Sequence, residues 1–419
     1  VVRWARAAYN ARVPDSRQSY PLFIAGAASW FTAWGMQSVL LSWLVVGELG
    51  ADAAVLGLVQ SVAMLPSLLL LLPGGVLADR HDRRRLLWIS HTGAGLVVAA
   101  LAVVVALGKL SLAAVFVFAA CMGVAVAFVL PSRDALLNDV SGGDLMRAVT
   151  GLTLTQWSGH ALGAAAGGLA RWMGTANALA LQSAVLLLGV LPLLRLPGYG
   201  NDGHAKDDSA SASDDGPSTS ALAEIREGLR EVYHSPTLLS VLALTTSVGI
   251  FFIGPYIVAF PLLVRDYYGG DVAQLALLTM CFPLGTIAGS LLLLARGGIR
   301  RKGLALVCAL ATGTVFLALI SLGLPFELML VVVAAWGLGA AVNINCSRTI
   351  FQQGAPKTHR ARVLSVYSMG FMGSTPLGTL LCGLLAERWG PLAACGILSA
   401  SMAVAITVVV TFTPILRIR

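Results

Sequence analysis

Long apolar stretches, one after another, constrain this chain more than any single motif in it. A helix crossing the hydrocarbon layer needs about 20 mostly apolar residues. Twelve stretches meet that length, near 21–47, 54–78, 86–107, 111–132, 147–171, 175–195, 237–264, 272–295, 303–323, 327–349, 361–386 and 391–414. Backbone amides in lipid must be paired within their own segment, so each stretch is read as a helix. Of the 419 residues, 57% are apolar and 11% charged, where soluble domains hold about 45–50% and roughly 25%. That balance, with a mean hydropathy of +0.82, excludes a soluble enzyme, a disordered chain and a nucleic-acid binder. The expected fold class is an all-α membrane protein with twelve transmembrane helices in two pseudo-symmetric six-helix bundles.

The expected division is a cytoplasmic N-terminal segment (1–20), a first bundle (21–195), a cytoplasmic linker (196–236), a second bundle (237–414) and a cytoplasmic tail (415–419). Within the linker, Gly198 to Ser220 is rich in Gly, Ser and Asp; it cannot bury a core and is expected to be disordered. Leu222, Ile225, Leu229 and Val232 then fall on one side of a short charged helix, read as interfacial. No cleavable leader is expected, because the first apolar stretch is long enough to span.

Threading the stretches through a bilayer puts 24 of the 28 Lys and Arg residues on one side; only Lys109, Arg171, Arg265 and Arg388 fall on the other. Basic residues stay cytoplasmic, so both termini and the linker are assigned to that side. The halves also repeat. Shifted by 215 positions, Ser132-Arg133 falls on Ser347-Arg348, Arg147 on Arg362, Leu162-Gly163 on Leu377-Gly378 and Gly168-Leu169 on Gly383-Leu384. Two such halves suit a protein that rocks about a central site.

The loop after the second stretch carries Gly75, Asp79, Arg80, Arg83, Arg84 and Arg85. An acid at a helix end beside arginines can form a charge-assisted clasp, and glycine permits close helix approach. The loop resembles the signature of the major facilitator superfamily, with Asp82 where a second glycine usually stands. Stretch five holds Gly159, His160, Gly163, Gly167 and Gly168. Its spacing resembles the antiporter motif of superfamily exporters, with Ala164 in place of the proline. Pro131 to Leu137, Phe351 to Ser365, and Pro376-Leu-Gly378 with Gly383 to Ala386 resemble the bacterial branch of enterobactin exporters and transmembrane secretion effectors. The resemblance covers nearly the whole chain. It implies the superfamily fold, export, H⁺ as coupling ion, and a place in the bacterial cytoplasmic (inner) membrane.

No phosphate-binding loop, HExxH or GxSxG sequence is present, so ATP hydrolysis and proteolysis have no residues to carry them. No enzyme activity, cofactor or metal is expected, and the six cysteines lack ligand spacing. The carboxylates of the spanning region sit at membrane ends rather than at mid-depth, which leaves His160, and after it His91, as proton candidates. A packed core imidazole is the open alternative for His160. Asp79 with Arg83, and Asp134 with Arg133, are expected to form a cytoplasmic gate.

Stretches one, four, seven and ten normally line the centre of the resembled fold. Trp30, Trp34 and Gln37 share a face of stretch one; Phe251 and Tyr256 lie on stretch seven, Asn343 and Asn345 on ten, Tyr367 and Phe371 on eleven. Aromatic rings with a few amides suit an amphipathic organic molecule. The expected partners are that small molecule, the bilayer and a proton, with no nucleic acid, for a chain acting as a monomer. The expectation is a proton-coupled exporter of drug-like or siderophore-like compounds. Its rivals are an importer or lysophospholipid flippase of the same fold, and a non-transporting receptor or scaffold.

Overall fold

Helix ends are written into the chain at several points. Asp82 accepts the backbone N–H of Arg84 and so starts a helix at Arg83; Asp144 does the same through Arg147 N–H. Asp271 and Gln274 form a reciprocal capping box, which satisfies donors that a helix start otherwise leaves unpaired. The position where the resembled loop carries glycine is thus a helix cap here. A computed structural model describes residues 16–70, 73–75, 77, 81–142, 144–197, 221–297, 299–355 and 360–418.

In chain order the helices are α1 (Ser16–Trp43), continued by a wide turn at Leu44–Glu48, α2 (Ala53–Leu69), α3 (Arg83–Ala106), α4 (Leu112–Val140), α5 (Leu145–Gly168) and α6 (Thr175–Leu188), extended by Val190–Arg195. After 198–220 come α7 (Ala221–His234), α8 (Pro236–Phe251), α9 (Val272–Ala295), α10 (Lys302–Ser321), α11 (Phe326–Gly354) and α12 (Arg360–Phe412). Helix α8 is prolonged by turns at Pro255–Ala259, Phe260–Leu262 and Leu263–Tyr267. Gly390, at φ 84°, divides α12 into two helices. Helix α2 runs to Leu69, and residues 73–75 and 77, within the predicted stretch to 78, are again helical.

Eight helices among the described residues are long and apolar enough to cross a membrane. Their outward side chains are apolar too: Leu96, Val117, Leu188, Val315, Val331 and Val404 are each more than half exposed. Such a belt is costly in water and costs nothing against lipid. Residues 1–15 and the linker stretch 198–220 lie outside the described residues.

The sequence repeat has a structural counterpart. Helices α4 and α11 are both 29 residues long. Left-handed glycine turns recur in pairs: Gly50 with Gly269 (φ 61° and 61°), Gly108 with Gly323 (65° and 72°), Gly174 with Gly390 (83° and 84°). A side chain is strained at such φ values, so glycine marks the same three corners in each half. Packing repeats as well. Helix α1 lies along α5, where a β-carbon on Gly35 would strike the His160 carbonyl; α8 lies along α12, where one on Gly254 would strike that of Gly378. Ser183 on α6 bonds the Gly95 carbonyl on α3, and Ser399 on α12 bonds that of Thr314 on α10.

Helix α7 seats on α12. Val232 is buried, Gly228 lies under the Arg362 carbonyl, and Glu227 accepts the Arg362 guanidinium. Leu229 and Tyr233, flanking the buried Val232, remain exposed, as an interfacial helix requires.

Candidate functional site

Where the two halves face each other they enclose a cavity of about 370 Å³. From the N-terminal half, α1 contributes Trp30, Trp34, Gln37, Ser38 and Leu41, α2 contributes Gln60 and Met64, α4 Met122, and α5 Gln156, Trp157 and His160. From the C-terminal half come Val248, Phe252, Tyr256 and Ile257 around α8, Thr279 and Phe282 on α9, Leu310 on α10, Trp336 and Asn343 on α11, and Phe371 and Thr375 on α12.

Aromatic rings form a connected wall. Phe282 lies 6.3 Å from Trp157 across the boundary, 5.1 Å from Tyr256 and 5.8 Å from Trp336. Trp336 in turn meets Phe252 edge-on at 5.2 Å. Rings offset in this way favour another flat apolar body between them. The polar groups are few and held: Tyr256 Oη donates to the Thr279 carbonyl, Gln60 Nε2 donates to Ser42 Oγ, and Gln182 Nε2 donates to Gln37 Oε1.

The cavity gathers Trp30, Trp34, Gln37, Tyr256, Asn343, Phe371 and His160, and it leaves out three predicted residues. Phe251 turns away because α8 loosens at Phe252–Gly254 and rewinds through a wide turn. Its glycine face, Gly249 and Gly254, packs on α12, which rotates Phe252 and Tyr256 inward instead. Asn345 is exposed and bonds the Ala341 carbonyl; two residues on from Asn343, it points about 200° around the helix. Tyr367 Oη pairs with Ser347 Oγ at 2.8 Å and its ring rests on Phe351, joining α12 to α11. Trp157, Phe252, Phe282, Trp336, Gln60 and Gln156 were not foreseen.

The motif residues act as follows. Gly159, Gly163 and Gly167 seat α1, and a β-carbon on Gly163 would collide with the Thr32 carbonyl; Gly168 faces the other half, where a β-carbon would come 2.7 Å from that of Ala276. Gly75 has open space around it, and Gly74 makes the close approach, to the Ala127 carbonyl on α4. Arg83 grips both oxygens of Asp139 at 2.9 and 2.8 Å, tying α3 to α4. Arg84 donates to the Leu194 carbonyl at 2.7 Å. Asp79 and Arg80 lie outside the described residues. Arg133 and Asp134 pair at 2.8 Å, but as neighbours on one helix they can stay paired whatever the halves do.

Bonds between the halves gather at one end. Arg171 pairs with Asp271 at 2.6 Å, Arg265 donates to the carbonyls of Val46 and Ala51, and Ala54 N–H donates to Glu387. Nearer the middle, Ser61 Oγ donates to the Pro376 carbonyl. At the opposite end the described ion pairs, Arg83–Asp139, Arg133–Asp134 and Glu227–Arg362, do not join one bundle to the other. The halves are therefore latched on the side away from the basic loops.

Comparison with known proteins places this geometry. Residues 17–417 match the family described as transmembrane secretion effector. The chain is 23% identical over 386 residues to macrolide efflux protein A of Streptococcus pyogenes, covering 88% of this chain and 90% of that one. It is 27% identical over 400 residues to the multidrug efflux pump Tap of Mycolicibacterium fortuitum (91% and 92% covered). It is 26% identical over 330 residues to the enterobactin exporter EntS of Shigella flexneri (77% and 74%). Among solved structures, a mutant form of the nucleoside transporter NupG superposes with a TM-score of 0.73 at 15% identity, over 94% of this chain and 99% of that one, and so shares the fold. The chain belongs to the transmembrane secretion effector family of the major facilitator superfamily.

Proposed function

We propose that this protein is a proton-coupled exporter of small amphipathic organic compounds, working by alternating access in a bacterial cytoplasmic membrane. It crosses the bilayer twelve times as two six-helix bundles (21–195 and 237–414), with both termini on the cytoplasmic side. One observation carries the reading: an aromatic-walled cavity lies between the two halves, and the bonds joining those halves gather at one end. Its rings offer apolar area, while Gln37, Gln60, Gln156 and Asn343 supply the few polar contacts that orient a ligand. The names of the macrolide, multidrug and enterobactin relatives support export and this substrate class. His160, which faces the cavity beside Trp157, is the proposed proton carrier. The loop from Gly75 to Arg84 stiffens the N-terminal bundle through Arg83 and Asp139, and the chain works as a monomer.

The test is expression in an efflux-deficient host against a panel of amphipathic antibiotics and dyes, followed by flux in proteoliposomes with and without a pH gradient. Lower accumulation of some members, lost when the gradient collapses, is expected. A panel with no affected compound, or export indifferent to the gradient, overturns the reading.

A further inference from the structure

Gln182 lies behind the cavity wall, fully buried on α6, and does not line the cavity itself. Its Nε2 donates twice, to the Ala33 carbonyl at 3.1 Å and to Gln37 Oε1 at 2.8 Å. The first bond fixes the amide, because a backbone carbonyl can only accept. Gln182 must therefore present a donor to Gln37, and Gln37 must answer with its oxygen. That leaves the Gln37 amino group on the cavity side, with no partner among the described residues.

The arrangement is not free of strain on the fold. Gln182 Oε1 is buried with no hydrogen-bond partner, and an orphaned buried acceptor is destabilising. An apolar side chain would pack there without it. What the amide contributes in return is its hold on Gln37.

We infer that Gln182 is a positioning residue that locks Gln37 as a hydrogen-bond donor, and that the transported compounds present an acceptor, a carbonyl or ester oxygen, to it. This rests on the reading of the cavity as the substrate site. The neighbouring polar group on that helix face is already engaged: Ser38 gives its hydroxyl to the Gly35 carbonyl. Gln37 thus sets which end of an amphipathic molecule meets α1.

The test uses two flat tricycles of similar size, tritiated xanthone, with a ring carbonyl and no N–H, and tritiated carbazole, with an N–H and no carbonyl. Each is bound to the purified full chain in nanodiscs, and lipid partition is subtracted with empty nanodiscs. The wild type is expected to hold xanthone about fivefold tighter, roughly the worth of one neutral hydrogen bond. Gln37→Leu is expected to bring the ratio near one. In Gln182→Glu the hydroxyl of the buried, protonated carboxyl stands where Nε2 stood: its single hydrogen goes to the Ala33 carbonyl, and the same oxygen can only accept from Gln37. The Gln37 amide then rotates, its oxygen faces the cavity, and the preference is expected to invert. Gln37→Leu changes a cavity-facing side chain, so the test stands even if Gln182→Glu does not fold. A wild-type ratio near one, a ratio that Gln37→Leu leaves unchanged, or one that folded Gln182→Glu leaves unchanged overturns the inference while the cavity stands. If neither tricycle binds the wild type, the cavity reading falls and this inference falls with it.

Discussion

Arg265 is the residue whose removal most sharply separates a latched end from an incidental contact. It stands on the C-terminal half, and its Nη1 donates to Val46 O at 2.9 Å and Ala51 O at 3.0 Å on the N-terminal half. Val46 O lies in the turn that prolongs α1, where a helix leaves acceptors unpaired and its dipole is negative, and Ala51 O lies in the short connection to α2. A hydrogen bond to a charged group contributes about 1.5–3 kcal/mol, but the Arg265 side chain is 27% exposed. Screening by water reduces the pair to about 1–2 kcal/mol. Arg265→Ala is therefore expected to shift the balance toward opening of that end by about 5- to 30-fold. Spin labels at Lys109→Cys and Leu322→Cys, both exposed turns at the latched end of opposite halves, report the separation by double electron–electron resonance. Exposed Cys121 and Cys308 and half-buried Cys281 are first replaced. A longer-distance population should grow in Arg265→Ala and not in Arg388→Ala, which removes an exposed charge at the same end. Identical distributions in wild type and Arg265→Ala would refute the reasoning.

Further outcomes follow from packing and bonding. Gly163→Val forces a side chain into the Thr32 carbonyl, and overpacking of this kind costs about 1–3 kcal/mol; Gly75→Ala, in open space, should leave the melting temperature unchanged. Arg83→Gln breaks a grip on Asp139 whose side chains are 25% and 16% exposed, and thermal unfolding should reveal a loss of about 1–2 kcal/mol. Tyr367→Phe removes the bond to Ser347, worth about 1 kcal/mol of stability, and should leave the pattern of exported compounds intact. Trp336→Ala removes a ring that touches Phe252, Phe260 and Phe282, and equilibrium binding of aromatic ligands should weaken by at least tenfold, as losing a buried aromatic anchor does.

The apolar stretches were legible because lipid leaves a continuous apolar segment of about 20 residues the helix as its backbone solution, and the amphipathic helix α7 because its apolar period is 3.6 residues. The same period served on α1, where Trp30, Trp34, Gln37 and Leu41 all reach the cavity. It failed on α8, where a break and a wide turn shift the register after Phe251; no pattern of side chains announces that rewinding. Trp157 and Trp336 had a usable signal, since they lie three residues before His160 and seven before Asn343 on faces already singled out. Gln182 had one too, as an amide in mid-span. What periodicity could not supply was partnership: Arg83 with Asp139 joins residues on two helices, and the charge pattern of one loop does not name a partner on another.

The central claim is that the halves part and close around the cavity during each cycle. Gly168 and Ala276 approach closely across the latched end, within reach of a disulfide after a small shift. With Gly168→Cys and Ala276→Cys in a background cleared of the exposed native cysteines, oxidation should stop export from proteoliposomes and reduction should restore it. Export that continues at full rate with the bridge formed would contradict the account.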